Sequence, residues 1–227
     1  MPDILYEDNH ILIINKRPGE IVQGDKTGDE PLVESLKQYI KQRDAKPGNV
    51  FLGVVHRLDR PVGGAVIFAK TSKALTRLNE MLRNGEIHKT YWALTRNRPP
   101  KESDTITHYI STNERMNKSH VSAQPKKGTK EARLKYKLLA VGKTLSLIEV
   151  ELLTGRKHQI RVQLAAVGCP IKGDLKYGDK RSNEDGSISL LARRIDFIHP
   201  VSKKPVSVTA PVPHNPVWQQ IASPIED

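Results

Sequence analysis

The chain has little of several kinds of residue, and each shortage excludes a class of protein. A single cysteine, Cys169, stands among 227 residues, so it can form no internal disulfide and cannot alone build a cysteine-rich metal site. No stretch is long and apolar enough to cross a bilayer, and the polar start of the chain has no signal-peptide pattern. Neither a glycine-rich phosphate loop nor a zinc-type spacing of His and Cys occurs. We therefore predict a cytoplasmic protein without nucleotide hydrolysis or metal catalysis.

Basic residues, by contrast, are in excess. Lysine and arginine number 37 against 25 aspartates and glutamates, which gives a net charge of +12. This excess favours a polyanionic partner, because each phosphate that a Lys or Arg neutralises releases condensed counterions. Nucleic acid is the first candidate, since no long amphipathic helix with a basic face is evident for docking on a membrane. The basic run 126–137, interleaved with Leu134 and Tyr136, fits a solvated strand face and an RNA-contacting patch equally well.

The order of apolar patterns predicts an α+β domain. We expect one domain over residues 1–227, since this length allows one full core. Strands outnumber helices without regular alternation, which favours a mixed, largely antiparallel sheet. Strands are predicted at 4–6, 11–14, 51–55, 65–69 and 87–94, in a hairpin over 133–153 that turns near 142–143, and in short segments after 168. Helices are predicted from Pro31 to about 43, from an N-cap at Thr71 to about 84, and from about 156 to 167.

One carboxylate, Asp59, lies where catalytic groups are common. It follows the strand-like segment 51–55 and precedes a Pro/Gly turn at 61–64, so it sits on a loop at a strand end. The arginines on either side favour its ionised form, and an ionised carboxylate can act as a nucleophile, a base or a stabiliser of a positive sugar centre. Taken alone, however, the segment 56–60 is more typical of a surface ion-pair network.

Two further features could take part in chemistry. The segment 153–161 predicts a glycine-led helix start whose backbone N–H groups, with Arg156 and Lys157, would suit a phosphate or a carboxylate. An ordinary capped helix with solvated basic residues is the equal alternative. Tyr91 could stack on a base or move a proton at a carbon, although a strand tyrosine is usually just packed. Together, the segment 153–161 and the Asp59 loop could supply an acid and its partner arginine.

Six segments, in order along most of the chain, resemble the motifs of the RluA-type family of pseudouridine synthases. Each motif alone is only modestly specific. All six in this order are highly specific for that family. The segments are Asn15-Lys16 with Pro18-Gly19, His56-Arg57-Leu58-Asp59-Arg60, Lys89-Thr90-Tyr91-Trp92-Ala93, Thr154-Gly155-Arg156-Lys157-His158-Gln159-Ile160-Arg161, Gly173-Asp174-Leu175-Lys176-Tyr177-Gly178 and Phe197-Ile198-His199-Pro200.

The resemblance implies a pseudouridine synthase fold with a central RNA-binding cleft. Because the chain begins almost directly with the first motif, we expect no small N-terminal S4 domain of the kind that many relatives carry. It also implies isomerisation of specific uridines in ribosomal or transfer RNA. In that reaction the N-glycosidic bond is cleaved, the uracil turns and a carbon-glycosidic bond forms. Base flipping is required because the glycosidic bond is inaccessible in a stack.

The resemblance further assigns roles to residues. Asp59 would be the essential carboxylate, whether it attacks the sugar, attacks the base or assists elimination. Arg156 would pair with Asp59, and Tyr91 would pack against the flipped uracil and assist proton removal. The side chains expected to contact RNA are His56, Arg57, Arg60, Lys89, Lys157, His158, Gln159 and Arg161.

The chemistry of isomerisation suits a site with one well-placed carboxylate. Glycosidic hydrolysis usually calls for two, whereas an isomerase keeps its leaving group in the pocket and consumes no water, so no cofactor is needed. We expect RNA as the partner, with no membrane, no obligatory protein partner and a monomeric state. Two other functions stay open: a non-catalytic RNA-binding protein, for which the charge of +12 would be the whole explanation, and an N-ribosyl hydrolase that releases free uracil.

Some positions depart from the pattern of the family. Val62 and Gly63 stand where the family usually has Thr and Ser, which removes two hydroxyl groups. Leu191 stands where many members have His, and Gln23 stands where a His is common after the first motif. None of these positions belongs to the proposed catalytic residues. We therefore expect the departures to alter substrate contacts rather than chemistry.

Overall fold

The computed structural model describes residues 1–25 and 27–226. Two units each combine segments that are distant in sequence: Met1–His88 with Ala192–Pro211, and Lys89–Leu191 with Val212–Asp227. In chain order the elements are β1 (Ile4–Glu7), β2 (Ile11–Lys16), α1 (Leu32–Arg43), β3 (Gly53–Val54), β4 (Gly63–Ala69), α2 (Ser72–Asn84), β5 (His88–Thr95), β6 (Ser103–Asn113), β7 (Lys118–Ser122), β8 (Lys130–Val141), β9 (Ser146–Leu152), α3 (Gln159–Ala166), a short 3-10 helix (Leu175–Tyr177), β10 (Leu190–Ile198), β11 (Pro205–Thr209) and α4 (Pro216–Glu226).

In the first unit, β2 pairs antiparallel with both β1 and β4. The short β3 also pairs with β4, and β10 pairs with β11. Every residue of β4 is buried, and the apolar residues of β2 are buried as well. These strands therefore consist of continuous apolar runs rather than an alternating pattern, because both of their faces are covered. The core of this unit combines them with the apolar stripe of α2, chiefly Ala74, Leu78 and Met81.

Helix α2 shows how local signals fix an element. The Thr71 side chain accepts a hydrogen bond from the backbone N–H of Ala74 at 3.1 Å, which satisfies an otherwise unpaired donor of the first turn. At the other end Gly85 adopts a left-handed conformation with φ +75°, which glycine tolerates without a steric penalty. Both boundaries were predicted from these residues, and both predictions are confirmed.

In the second unit the strand order is β5-β9-β8-β6-β7, and each of these neighbouring pairs is antiparallel. Helix α3 contributes Val162 to a cluster with Ala132 and Tyr177. Helix α4 contributes Trp218 to a second cluster with Trp92. Along β8, residues from Ala132 to Lys137 alternate between buried and exposed, as expected for a strand with one covered face.

The predicted fold class, an α+β arrangement with a largely antiparallel sheet, is confirmed by these pairings. The hairpin over 133–153 is also confirmed as β8 and β9. Several element predictions were wrong in extent. The strand predicted at 51–55 is reduced to Gly53–Val54. Pro31 occupies the N-cap position of α1, so the helix begins one residue later than predicted. The hairpin of β6 and β7 and the C-terminal helix α4 were not predicted at all.

Within the described ranges 1–25 and 27–226, no helix is both long and apolar enough to cross a membrane.

Candidate active site

The proposed catalytic carboxylate, Asp59, lies in the loop that joins β3 to β4. The side chain is half-buried, and the preceding Leu58 is buried and anchors the loop. The carbonyl oxygen of Asp59 accepts a hydrogen bond from the backbone N–H of Val62 at 3.0 Å, which closes the predicted tight turn. Asp59 is therefore held on a folded loop at a strand end, where the sequence predicted it to be.

A buried lysine is hydrogen-bonded to the main chain of this loop. Lys16, at the end of β2, is only 1% exposed, and its Nζ donates to the carbonyl oxygens of Arg17, Arg60 and Val62 at 2.8, 3.2 and 2.7 Å. Burial lowers the pKa of Lys16 to about 8, while the negative charges of Glu20 and Asp59 act in the opposite direction. The ammonium thus satisfies two carbonyl groups of the Asp59 loop. From the sequence, Lys16 could be identified only as part of the first motif, without a role.

The turn after Asp59 permits no side chain at Gly64. This residue has φ +112°, and a Cβ placed there would lie 2.4 Å from the carbonyl oxygen of Ala192 on β10. Val62 is buried, and a Cβ at Gly63 would lie 3.2 Å from the Pro18 ring. A side chain at position 63 would therefore be crowded by Pro18 of the first motif, and glycine avoids this contact.

The basic residues around Asp59 differ in what they contact. Arg57 is exposed, as an RNA contact requires. Arg60 donates to Asp29 and to the Thr27 hydroxyl, both at 2.7 Å, so its guanidinium holds these two side chains together. His56 is half-buried, and its Nε2 accepts the backbone N–H of Ile67 at 3.2 Å.

In the second unit, Tyr91 is buried in β5 opposite Val150 of β9 and is 6% exposed. Lys89, two residues earlier, is half-buried, and desolvation lowers its pKa. Their two side chains point to the same face of the strand, because residues two apart share a face. The sequence predicted Tyr91 correctly as a strand residue.

The helix predicted from about 156 to 167 is confirmed as α3 (Gln159–Ala166), but its start was misplaced by three residues, because the segment 154–158 is not helical. The Gln159 side chain accepts from the backbone N–H of Arg156 at 2.9 Å and from the Thr154 hydroxyl at 2.8 Å, and its amide donates to the carbonyl of Arg133. The expected free N–H group at Arg156 is therefore occupied. Arg156 itself is exposed, and its Nε donates to the carbonyl of Glu131 at 2.9 Å.

His158 stands just before α3 in a left-handed conformation, with φ +55°. This conformation costs a non-glycine residue about 1–2 kcal/mol. The hydroxyl of the buried Tyr177 lies 2.7 Å from Nδ1 of His158, and it also accepts the backbone N–H of Ser119 at 2.7 Å. These contacts stabilise the strained turn. The buried His158 and Gln159, both expected to contact RNA, are thus engaged inside the protein.

Arg161 is the most firmly held cation of the segment. It is 5% exposed, and its Nε and Nη2 donate to the two carboxylate oxygens of Asp174 at 2.7 and 2.9 Å. The guanidinium carbon also lies 5.1 Å from the centre of the Tyr177 ring, within cation–π range. Arg161 was expected to contact RNA, but its burial and its bidentate pair give it the character of a positioned internal cation. Asp174 and Tyr177 belong to the motif 173–178, which was the available signal for this network.

Two other predicted residues have ordinary surroundings. Lys157 is exposed and forms an ion pair with Glu114 at 2.8 Å. Leu191, which stands where a His is common, is buried in an apolar cluster, and Gln23 is exposed. Among residues 1–25 and 27–226, no group of three or more His, Cys, Asp and Glu side chains could hold a metal ion.

Comparison with known proteins identifies the family of this chain. Residues 10–166 match the family model described as RNA pseudouridylate synthase. The chain belongs to this family. The resemblance inferred from six motifs is therefore confirmed, and the match includes the Asp59 loop, Tyr91 and the Arg161 segment. Members of the family are isomerases that convert uridine in RNA to pseudouridine.

Named relatives support the same membership. The chain is 36% identical over 92% of its length to the ribosomal large subunit pseudouridine synthase C of Buchnera aphidicola subsp. Baizongia pistaciae, covering 66% of that protein. It is 34% identical over 99% of its length to the ribosomal large subunit pseudouridine synthase D of Xylella fastidiosa, covering 70% of that protein. The chain thus spans about two thirds of the length of these curated relatives. In fold it is similar to the human RNA pseudouridylate synthase domain containing 4, with a TM-score of 0.80 at 23% identity over 93% of this chain and 89% of that one.

Proposed function

We propose that this chain is an active RNA pseudouridine synthase that isomerises uridines in ribosomal RNA, with Asp59 as its catalytic carboxylate. The main support for the proposal is that buried Lys16 holds the loop of Asp59 by hydrogen bonds to its carbonyl groups, in a chain that belongs to this family. Ribosomal RNA is the substrate class because two relatives are named for the large ribosomal subunit. Transfer RNA is the alternative substrate.

The reaction rearranges one nucleotide without adding or removing atoms overall. The bond between N1 and C1′ breaks, a bond between C5 and C1′ forms, the proton on C5 leaves, and N1 gains a proton. No water enters the product, so a single carboxylate suffices, whereas hydrolysis of a glycosidic bond usually employs two. Asp59 would attack the sugar, attack the base or assist elimination.

We propose that the catalytic arginine of the segment 153–161 is Arg161 rather than Arg156. Arg161 is buried, with one edge of its guanidinium fixed by Asp174. Arg156 is exposed and contacts a main-chain carbonyl. A preorganised cation stabilises a reacting carboxylate more than a solvated one, because no reorganisation is needed during the reaction.

Tyr91 is proposed to pack against the flipped uracil and to assist removal of the C5 proton. Flipping exposes the glycosidic bond at a cost of a few kcal/mol. The exposed cations Arg57 and Lys157 are proposed to hold the RNA backbone while the base is out of its stack. We further propose that the protein acts as a monomer in the cytoplasm, with RNA as its partner.

Product analysis tests this function directly. Purified chain is incubated with large-subunit ribosomal RNA transcribed in vitro, and the digested RNA and the supernatant are separated by chromatography. We expect pseudouridine in the RNA and no free uracil in the supernatant. Free uracil with abasic RNA would identify an N-ribosyl hydrolase instead. RNA that is bound but unchanged would identify a non-catalytic binding protein.

A further inference from the structure

The turn between β6 and β7 is a well-defined hairpin tip. It comprises residues 114–117, and the two strands leave it in antiparallel register with Asn113 opposite Lys118. The backbone N–H of Met116 donates to the Asn113 side chain at 3.0 Å, and that of Asn117 donates to the carbonyl of Glu114 at 3.2 Å. The tip is therefore held in one conformation by its own hydrogen bonds.

Two side chains of this tip project into solvent. Met116 is 60% exposed, and Arg115 beside it is exposed as well. A single exposed methionine is ordinary in a folded protein. Here, however, it stands next to an arginine that forms no ion pair within residues 1–25 and 27–226. Neither side chain contributes to the core of the unit, so folding does not explain their presence at the tip.

Positive charge dominates the surroundings of the tip. Lys157 reaches Glu114 at 2.8 Å, and Lys176 donates to the carbonyl of Asn117 at 2.9 Å. The Nζ of Lys118, the first residue of β7, lies 5.7 Å from the centre of the Tyr177 ring. With Arg115, the tip and the side chains in contact with it or next to it carry four cations and one carboxylate, that of Glu114. Such an excess attracts phosphate groups.

The start of β7, next to the tip, is joined to the turn that precedes α3. The Ser119 hydroxyl donates to the carbonyl of Lys157 at 2.7 Å. The backbone N–H of Ser119 donates to the Tyr177 hydroxyl, which also contacts His158 at 2.7 Å. The tip is thus fastened, through buried contacts, to the segment that leads into Arg161.

We propose that the hairpin tip formed by residues 114–117 contacts RNA at a nucleotide other than the target uridine. Arg115 binds a phosphate or stacks on a base, and Met116 packs its apolar side chain against a base face, as arginine planes and apolar side chains do in RNA and minor-groove complexes. The partner is RNA because the local charge is positive and because the proposed substrate is RNA. This inference therefore rests on the proposed function and extends it to a second contact region.

The double variant Arg115→Ala with Met116→Ala tests the contact. Its matched control is Val141→Ala with Lys143→Ala, which removes one exposed apolar and one exposed basic side chain at the β8–β9 turn of the same unit. Tritium release from 5-tritiated uridine in a large-subunit ribosomal RNA transcript gives kcat and KM, and filter binding at several salt concentrations gives Kd. Thermal unfolding of both variants should match the wild type, because all four side chains are exposed.

We expect the tip variant to raise KM and Kd about tenfold, with kcat within about twofold of the wild type. The slope of log Kd against log salt concentration should fall by about one, as expected for the loss of one phosphate contact. The control should match the wild type. Unchanged KM and Kd in the tip variant, or a loss confined to kcat, would overturn the inference while leaving the proposed function intact. If the wild type released no tritium, the proposed function would fail, and an unchanged Kd in the tip variant would then overturn the hairpin contact separately.

Discussion

Among single residues, the two arginines at the ends of the segment 156–161 differ most in how they are held. Arg161 is buried on Asp174 and Tyr177, whereas Arg156 is exposed and contacts a carbonyl group. We therefore predict that Arg161→Lys lowers kcat by at least about a hundredfold, because lysine keeps the charge but loses the planar bidentate geometry. Arg156→Ala should raise KM a few-fold and leave kcat nearly unchanged.

Steady-state tritium release and thermal unfolding of both variants provide the measurement. Unfolding must be compared because a lysine at position 161 also weakens the buried pair with Asp174. The reverse pattern, with kcat lost in Arg156→Ala and retained in folded Arg161→Lys, would restore Arg156 as the catalytic arginine.

The sequence predicted which residue types belong to the site but not their surroundings. Asp59 could be placed because its loop is defined locally by the Pro/Gly turn that follows it. The burial of Arg161 could not be predicted, because it depends on Asp174, 13 residues away along the chain. The role of Lys16 was missed for the same reason, since two of its three acceptors lie more than 40 residues away.

At the level of elements, one carboxylate joins three parts of the first unit. Glu7 at the end of β1 accepts from Arg43 in the last turn of α1 at 2.7 and 2.8 Å, and from Lys70 after β4 at 2.7 Å. The hydrogen bonds from Arg43 lower the pKa of Glu7 to about 2, and Lys70 adds to this effect, while burial acts against it. The ordinary value is 4.5, so the ionised form is favoured by folding.

Glu7→Gln should therefore destabilise the protein at neutral pH by about 1 kcal/mol, after allowance for solvent screening. A lowered pKa gives stability that is present above the ordinary value and is lost as pH falls toward the folded value. The difference in unfolding free energy between wild type and variant should thus shrink between about pH 4.5 and pH 2. Urea unfolding at a series of pH values measures it, with Glu34→Gln, which removes an exposed ion pair of α1, as the control. A difference that does not change with pH would contradict the assignment.

Elements whose ends depend on neighbouring residues were predicted well, and those that depend on distant contacts were not. Helix α2 begins at Thr71 and ends at Gly85 for local reasons. The start of α3 was misplaced because the turn before it is held by Gln159 contacts to the β8 strand and by Tyr177, which lies 19 residues beyond His158. Tertiary contacts overrode the local pattern there.

For the molecule as a whole, the net charge of +12 should be visible in how RNA binding depends on salt. Each phosphate neutralised by a Lys or Arg releases counterions, so affinity falls as salt concentration rises. We predict that raising salt from about 50 to about 200 mM weakens binding of the ribosomal RNA transcript at least tenfold, with kcat at saturating RNA unchanged. Filter binding and tritium release provide the two values. Affinity independent of salt would show that the excess charge serves another purpose.

Whether Asp59 catalyses the conversion of uridine to pseudouridine can be measured by tritium release from 5-tritiated RNA with the variant Asp59→Asn. Asparagine keeps the size of the side chain and removes its charge, and Asp104→Asn, which removes a carboxylate paired with Lys101 at a strand end, is the control. We expect release by the wild type and the control, and a loss of at least about a thousandfold in folded, RNA-binding Asp59→Asn. Release by Asp59→Asn at the wild-type rate would contradict it.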